Sequence, residues 1–195
     1  MDSSFNPRRA GFSLLRAHEL PPRGLGGNTD FADTRTAFAE LPPALKKELE
    51  DTDYIAQHNL WHSRQKASPE FFKDVKPDDF PSGRHHLIQR HERSGRMNLY
   101  VANHIRKIEG LEPERNQELI DKLLAHATQD KYVISVEWEN NGDLVIWDNT
   151  AVMHRAHGGE YEGKFKRDMR RATVHDDSVH AWGLNEKSEK RMGLP

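Results

Sequence analysis

The stretch from Gly142 to Asp176, GDLVIWDNTAVMHRAHGGEYEGKFKRDMRRATVHD, constrains this chain more than any other. A strongly β-prone run, Asp143 to Trp147, ends in the polar corner Asp148-Asn149 and leads on to His154. A basic cluster, Arg167, Arg170 and Arg171, then meets a strand predicted over Arg170 to Val174. Side chains alternate along a strand, so Arg167 and Arg171, four apart, face one side of a sheet and Arg170 the other. Two inward guanidiniums require anionic partners, because an unpaired buried charge is very costly. Their planar fork suits a carboxylate. A solvated edge strand with ordinary salt bridges is the alternative.

The rest of the chain is punctuated by glycine and proline. Phe12 to Leu20 reads as a strand stopped by Pro21-Pro22, and Arg23 to Asn28 as a glycine-rich loop. Asp30 to Leu41 has helical spacing at Phe31, Phe38 and Leu41, and a second short helix is expected over Ala44 to Leu49. Residues 62–84 are polar and proline-rich, the pattern of a long loop, an active-site lid or a disordered insert. Strands resume over His86 to His91 and Met97 to Ala102, turning at Ser94-Gly95. Pro113 opens a helix with an apolar stripe at Leu119, Ile120, Leu123, Leu124 and Ala127. Tyr132 to Trp138 and Leu144 to Trp147 are expected to form a hairpin around Asn140-Asn141-Gly142. This order suits a mainly β sandwich or jelly roll with flanking helices, not an alternating βαβ sheet.

One domain is expected over residues 1–182, followed by a loose polar tail, 183–195. With 35% apolar against 31% charged residues, either the termini are largely solvated or part of the core-forming chain is missing. A net charge of −2 gives no overall electrostatic case for nucleic acid or an anionic membrane. The chain has no cysteine, which excludes disulfides, cysteine-based zinc sites and thiol nucleophiles. No apolar run approaches a membrane span and no targeting segment opens the chain, so a cytoplasmic protein is the default expectation.

Most of the 12 histidines do not read as ligands. His85-His86 points to opposite faces of an extended segment. His58 and His62 have helical spacing but no His-Glu-x-x-His pattern around them, and His157 runs into Gly158-Gly159 as loop. His18, His91, His104, His126, His175 and His180 have no companion at ligand spacing. That leaves His154, which the arginines downstream set apart.

Several pieces together carry a resemblance: Met1-Asp-Ser-Ser-Phe, Glu19-Leu-Pro, Gly26-Gly-Asn-Thr29, Ala125-His-Ala, Trp147-Asp-Asn, His154 and Arg167-x-x-x-Arg171. In order and approximate spacing they resemble the taurine and 2,4-dichlorophenoxyacetate dioxygenase family of iron(II)/2-oxoglutarate oxygenases. The resemblance implies a double-stranded β-helix (jelly roll, cupin-like), incomplete on its N-terminal side. It also implies Fe(2+), with 2-oxoglutarate and O2 as co-substrates. That family holds iron with a His-x-Asp pair and a distal histidine. Here Asp2 matches the aspartate, Met1 the x, and His154 the distal ligand. The first histidine of the pair would fall immediately before Met1, so the resemblance suggests a family member truncated inside this motif. Thr29 and Arg167 match the grip on the far carboxylate of 2-oxoglutarate. Arg171 matches a contact to an anionic substrate group.

From the residues alone, Thr29 reads equally as the N-cap of a helix beginning at Asp30. The implied activity is hydroxylation of a small anionic molecule with release of succinate and CO2. A catalytically silent family member, acting only in binding or regulation, is the alternative. A metal hydrolase lacks its accompanying motif.

Overall fold

The computed structural model describes residues 1–188. Strand β1 (Ala10–Glu19) is followed by β2 (Thr29–Asp33), helices α1 (Thr34–Ala39) and α2 (Pro43–Thr52), β3 (Ile55–His58) and α3 (Leu60–Ala67). Four short strands come next: β4 (Gly83–His86), β5 (Ile88–Arg90), β6 (Met97–Leu99) and β7 (Ile105–Ile108). Helix α4 (Pro113–Ala127) precedes β8 (Val133–Val136), β9 (Leu144–Asp148), β10 (Val152–Ala156) and β11 (Asp168–His175).

Two three-stranded antiparallel sheets, ordered β11-β1-β9 and β10-β2-β8, frame the molecule. They face each other: Trp147 of β9 packs at 5.4 Å, centroid to centroid, on Phe31 of β2. A third sheet, β4-β3-β7, and the β5-β6 hairpin support them. Beneath lies a core built by Phe38 of α1, Leu45 and Leu49 of α2, and Leu119 and Leu123 of α4, against Leu99 and Ile108. The apolar stripe of α4 is buried at Leu119, Ile120, Leu123 and Ala127 and half-buried at Leu124. Each fully buried leucine contributes about 1.5–3 kcal/mol of transfer free energy. No helix among the described residues is long and apolar enough to cross a membrane.

Three local expectations are corrected. The helix predicted from Asp30 is a strand, β2, followed by a helix that starts only at Thr34. Asp33 sets that start, its carboxylate accepting from Arg35 N at 3.0 Å and Thr36 Oγ1 at 2.8 Å. A central strand is buried on both faces, so β2 lacks the alternation that marks a strand in sequence. Thr29 is therefore a strand residue and not a helix cap.

The predicted hairpin between Tyr132 and Trp147 does not form. β8 pairs with β2 while β9 pairs with β1, so the connection crosses from one sheet to the other. Asp143 ties the crossing, accepting from Glu139 N and Asn140 N at 3.0 and 2.9 Å.

The 62–84 segment is not one loop, since α3 runs to Ala67. Asn59 caps α3 through His62 N at 3.0 Å, and Trp61 stacks on Phe80 at 4.8 Å. His58 and His62 consequently share no helix face: His58 ends β3, fully buried, and His62 lies on α3. Of the predicted tail, Leu184 N bonds Arg84 O at 2.9 Å, and 189–195 lie outside the described residues.

The segment 2–6 is pinned over β4. A Cβ on Gly83 would stand 2.3 Å from Ser4 O, so only glycine lets that backbone approach. This seating places Asp2 at the mouth of the cleft between the two main sheets.

Candidate active site

Asp2 is the hub of the cleft. Its Oδ2 accepts a hydrogen bond from Ser13 Oγ of β1 at 2.7 Å. Its backbone N–H donates to Asn149 Oδ1 at 3.0 Å. The other carboxylate oxygen, Oδ1, accepts from Arg171 Nη1 of β11 at 3.0 Å and lies 3.5 Å from His154 Nε2 of β10. The N-terminal turn and two strands, β10 and β11, thus bring a carboxylate, an imidazole and a guanidinium to one point.

His154 is held by packing. Its ring sits 4.9 Å from Trp147 and 6.4 Å from Phe31, and Nδ1 is buried without a hydrogen-bond partner. Burial pushes its pKa down to about 4, leaving the imidazole neutral at pH 7. Burial alone would raise the Asp2 carboxyl, but His154, the Ser13 hydrogen bond and Arg171 outweigh it and hold Asp2 below the ordinary range. A neutral imidazole and an ionised carboxylate are the protonation states that bind metal. Among the described residues no group of three or more His, Cys, Asp or Glu side chains is arranged for a metal ion. Asp2 and His154 stand as a pair.

Thr29 and Arg167 flank the glycine-rich loop. Arg167 Nη2 donates to Gly27 O at 2.9 Å, and its guanidinium lies 5.9 Å from the Tyr161 ring. Thr29 Oγ1 accepts from Trp138 Nε1 at 3.2 Å and is 2% exposed. Gly27, Trp138 and Arg167 line a common crevice. Thr29 joins this corner to His154 through the sheet, because β2 pairs Thr29 with Ala156 and Phe31 with His154. Among the described residues no hydrogen bond or ion pair links the Asp2–His154–Arg171 group directly to Arg167.

Alternation along one strand does not relate the two arginines as the sequence predicts. Arg167 precedes β11, next to a register shift between Ala17 and Glu19. The side chain of Arg171 is 51% exposed rather than inward, and its anionic partner is Asp2. Arg170 reaches solvent near Asp168.

Two readings of other histidines also change. His157 Nε2 donates to Asp30 Oδ2 at 2.5 Å, beside Arg155 at 2.9 Å, so it is anchored and not free loop. His91, without a companion in sequence, meets Asp148 Oδ2 at 3.1 Å. Sequence reasoning missed Ser13 altogether. Nothing about a lone serine in a strand marks it, whereas Asn149 stood in the Trp147-Asp-Asn motif.

The family model described as "Taurine catabolism dioxygenase TauD, TfdA family" matches residues 1–173. The chain belongs to that family. Within the TauD/TfdA family it is 38% identical over 178 residues to the alpha-ketoglutarate-dependent 2,4-dichlorophenoxyacetate dioxygenase of Cupriavidus pinatubonensis, covering 91% of this chain and 60% of that protein. It is 31% identical over 191 residues to pentalenolactone F synthase of Streptomyces arenae, covering 93% of this chain and 62% of that protein. Among solved structures, AAD-2 in complex with Mn(II) and N-oxalylglycine superposes with a TM-score of 0.81 at 36% identity. That match covers 92% of this chain and 68% of the other. The two facing sheets are accordingly those of the family's jelly roll, with helices flanking them. The chain spans 60% and 56% of the length of two 2,4-dichlorophenoxyacetate dioxygenases that it matches.

Proposed function

We propose that this chain carries the metal- and 2-oxoglutarate-binding part of an iron(II)-dependent dioxygenase that hydroxylates a small anionic organic molecule. The observation that carries the reading is the meeting of Asp2, His154 and Arg171 at distances of 3.0 and 3.5 Å in the cleft. The names of the relatives support it, since 2,4-dichlorophenoxyacetate is a small carboxylate and those enzymes depend on alpha-ketoglutarate.

The donor set fits two positions of an iron(II) site. A carboxylate oxygen and an imidazole nitrogen are ligands of the 2-His-1-carboxylate type. Asp2 and His154 would hold the metal; Thr29 and Arg167 would hold the far carboxylate of 2-oxoglutarate. Bound iron(II), with 2-oxoglutarate and O2 as co-substrates, supplies the oxidation that yields succinate, CO2 and a hydroxylated product. The residues of the chain do the positioning. His154, kept neutral by burial, carries one unprotonated ring nitrogen that a metal ion can take. The rings of Trp147 and Phe31 exclude water from its flank. Arg171, exposed enough to exchange partners, orients the anionic group of the substrate.

The test uses the full chain with iron(II), ascorbate, carboxyl-labelled 2-oxoglutarate and 2,4-dichlorophenoxyacetate as trial substrate. Labelled CO2 above the no-protein control, lost in Asp2→Ala and His154→Ala, is the expected result. Background release throughout, with no binding of 2-oxoglutarate by calorimetry, overturns the proposal. Two converging ligands instead of three among the described residues favour a second reading, binding without turnover. Background release with calorimetric binding intact selects it.

A further inference from the structure

The Asp2 carboxylate is reached from behind by a buried relay whose direction is fixed by chemistry. Trp147 Nε1 donates to Asn149 Oδ1 at 2.8 Å, and Asp2 N donates to the same oxygen at 3.0 Å. An indole N–H and a backbone N–H can only donate, so the atom facing both must be the amide oxygen. The orientation of Asn149 is thereby decided, without the usual amide ambiguity. Asn149 Nδ2 then faces Ser13 Oγ at 2.8 Å and must donate to it. Ser13 has one hydroxyl proton left. Asp2 Oδ2 at 2.7 Å is nearer than Thr173 Oγ1 at 3.2 Å, and a carboxylate is the stronger acceptor. Thr173 can donate to Ser13 in turn. Ser13 and Asn149 are fully buried and Trp147 nearly so, which makes each partner hard to replace with water.

Every step ends on Oδ2. The other oxygen, Oδ1, has Arg171 and His154 as its polar partners among the described residues. We infer that the Trp147–Asn149–Ser13 relay occupies Asp2 Oδ2 so that Oδ1 alone is presented to a divalent cation, making Asp2 a one-oxygen ligand in a fixed pose. Ser13 and Asn149 are then positioning residues. Their chemistry is lost if either end of the donor order is broken. Ser13→Ala removes the donor to Oδ2. Asn149→Asp places a carboxylate where Ser13 needs a donor, so the serine proton turns away from Asp2. The inference rests on the metal-binding reading of Asp2 and His154.

The experiment titrates the full chain with cobalt(II) alone, read by its visible absorption. Difference infrared spectra with and without the metal give the separation of the two carboxylate stretching bands. Wild type binds, Asp2→Ala does not, and the wild-type separation is the wide one of a carboxylate bound through one oxygen. Ser13→Ala and Asn149→Asp weaken cobalt by about 10–100-fold, as loss of such support does. Their band separation narrows toward two-oxygen binding, and Ser13→Thr, which retains the hydroxyl, restores both readouts. Cobalt binding that ignores Asp2→Ala overturns the metal-site reading itself. Asp2-dependent binding with a two-oxygen signature in wild type overturns the relay alone. So does wild-type affinity in a folded Ser13→Ala or Asn149→Asp. A two-oxygen signature in the wild-type spectrum overturns the relay even if neither variant folds.

Discussion

Arg171 Nη1 stands 3.0 Å from Asp2 Oδ1, the same oxygen that His154 Nε2 approaches to 3.5 Å. A permanent cation therefore shares the carboxylate oxygen best placed to take a metal. The Arg171 side chain is 51% exposed, so the pair contributes only about 0–1 kcal/mol to stability. Arg171→Gln should leave the melting temperature nearly unchanged. With the competing charge gone, divalent metal should bind roughly 2–5-fold tighter, the effect of about 0.4–1 kcal/mol. The same change should raise KM for an anionic substrate while kcat moves less, because the lost contact is to the substrate in both ground and transition states. Cobalt titration and steady-state kinetics on one preparation check both signs. Weaker metal binding in the variant would show that Arg171 supports the site instead of competing within it.

Arg167 stands apart from that cluster. It donates to Gly27 O across the glycine-rich loop, next to the strand that carries Thr29. Arg167→Leu should weaken 2-oxoglutarate on the order of 30-fold, the low end for losing one partner of a hydrogen-bonded charge pair. Cobalt affinity should stay close to wild type, because no contact joins Arg167 to Asp2 or His154. Isothermal calorimetry with 2-oxoglutarate, beside the cobalt titration, separates the two. An equal loss of both ligands would mean that the arginine braces the loop and does not hold the co-substrate.

The residues of this site were legible in sequence to very different degrees. Asp2, His154 and Arg171 stand together in the structure; of the strands around them, β1, β9 and β11 were legible from their β-forming residues, while β10, which carries His154, was not. The pairing that brings them together was not legible. β8 and β9 look like a hairpin locally, and only the non-local preference of β2 for β8 and β1 for β9 separates them. β2 was misread for a related reason: a strand buried on both faces loses its alternation, and Phe31 and Phe38 then mimic helical spacing. Ser13 was silent because its role depends on a partner 136 residues away.

Asp30 offers an acid-side test away from the cleft. Burial alone would raise its carboxyl, yet hydrogen bonds from His157 and Arg155 bring it from the ordinary 3.8 to about 2. A depressed carboxyl contributes stability that is present above its unfolded value and lost as pH falls through its folded value. The contribution should fade between about pH 4 and pH 2. Arg155 is well exposed, so after solvent screening the effect is on the order of 1 kcal/mol. Urea unfolding of Asp30→Asn should show a deficit against wild type at pH 6 that closes at the acid end of this window. A deficit that does not change with pH would assign it to packing.

Buried imidazoles set the opposite limit, and act at milder pH. His85 lies on β4 with both ring nitrogens buried and without a hydrogen-bond partner, edge-on to His58 at 5.7 Å and to Tyr100 at 5.4 Å. Burial pushes its pKa from the ordinary 6.5 down to about 3, and the nearby Arg9 adds to the shift. For a base the sign is the reverse of the aspartate case. The unfolded chain takes up a proton on His85 below about pH 6.5, while the folded chain refuses it until about pH 3. Protonation therefore favours the unfolded state across that whole interval. Folding stability should decline from pH 7 to pH 5, before Asp30 begins to matter. His85→Phe keeps a ring of similar size against Tyr100 and removes the proton site. Its urea midpoint should change less than wild type over those two units, even if its stability at pH 7 is lower. His58, His104 and His154, each with its pKa lowered by burial, keep the remaining acid dependence in the variant. Parallel pH profiles for the two proteins would show that the imidazole at position 85 is already protonated in the fold, or that water reaches it.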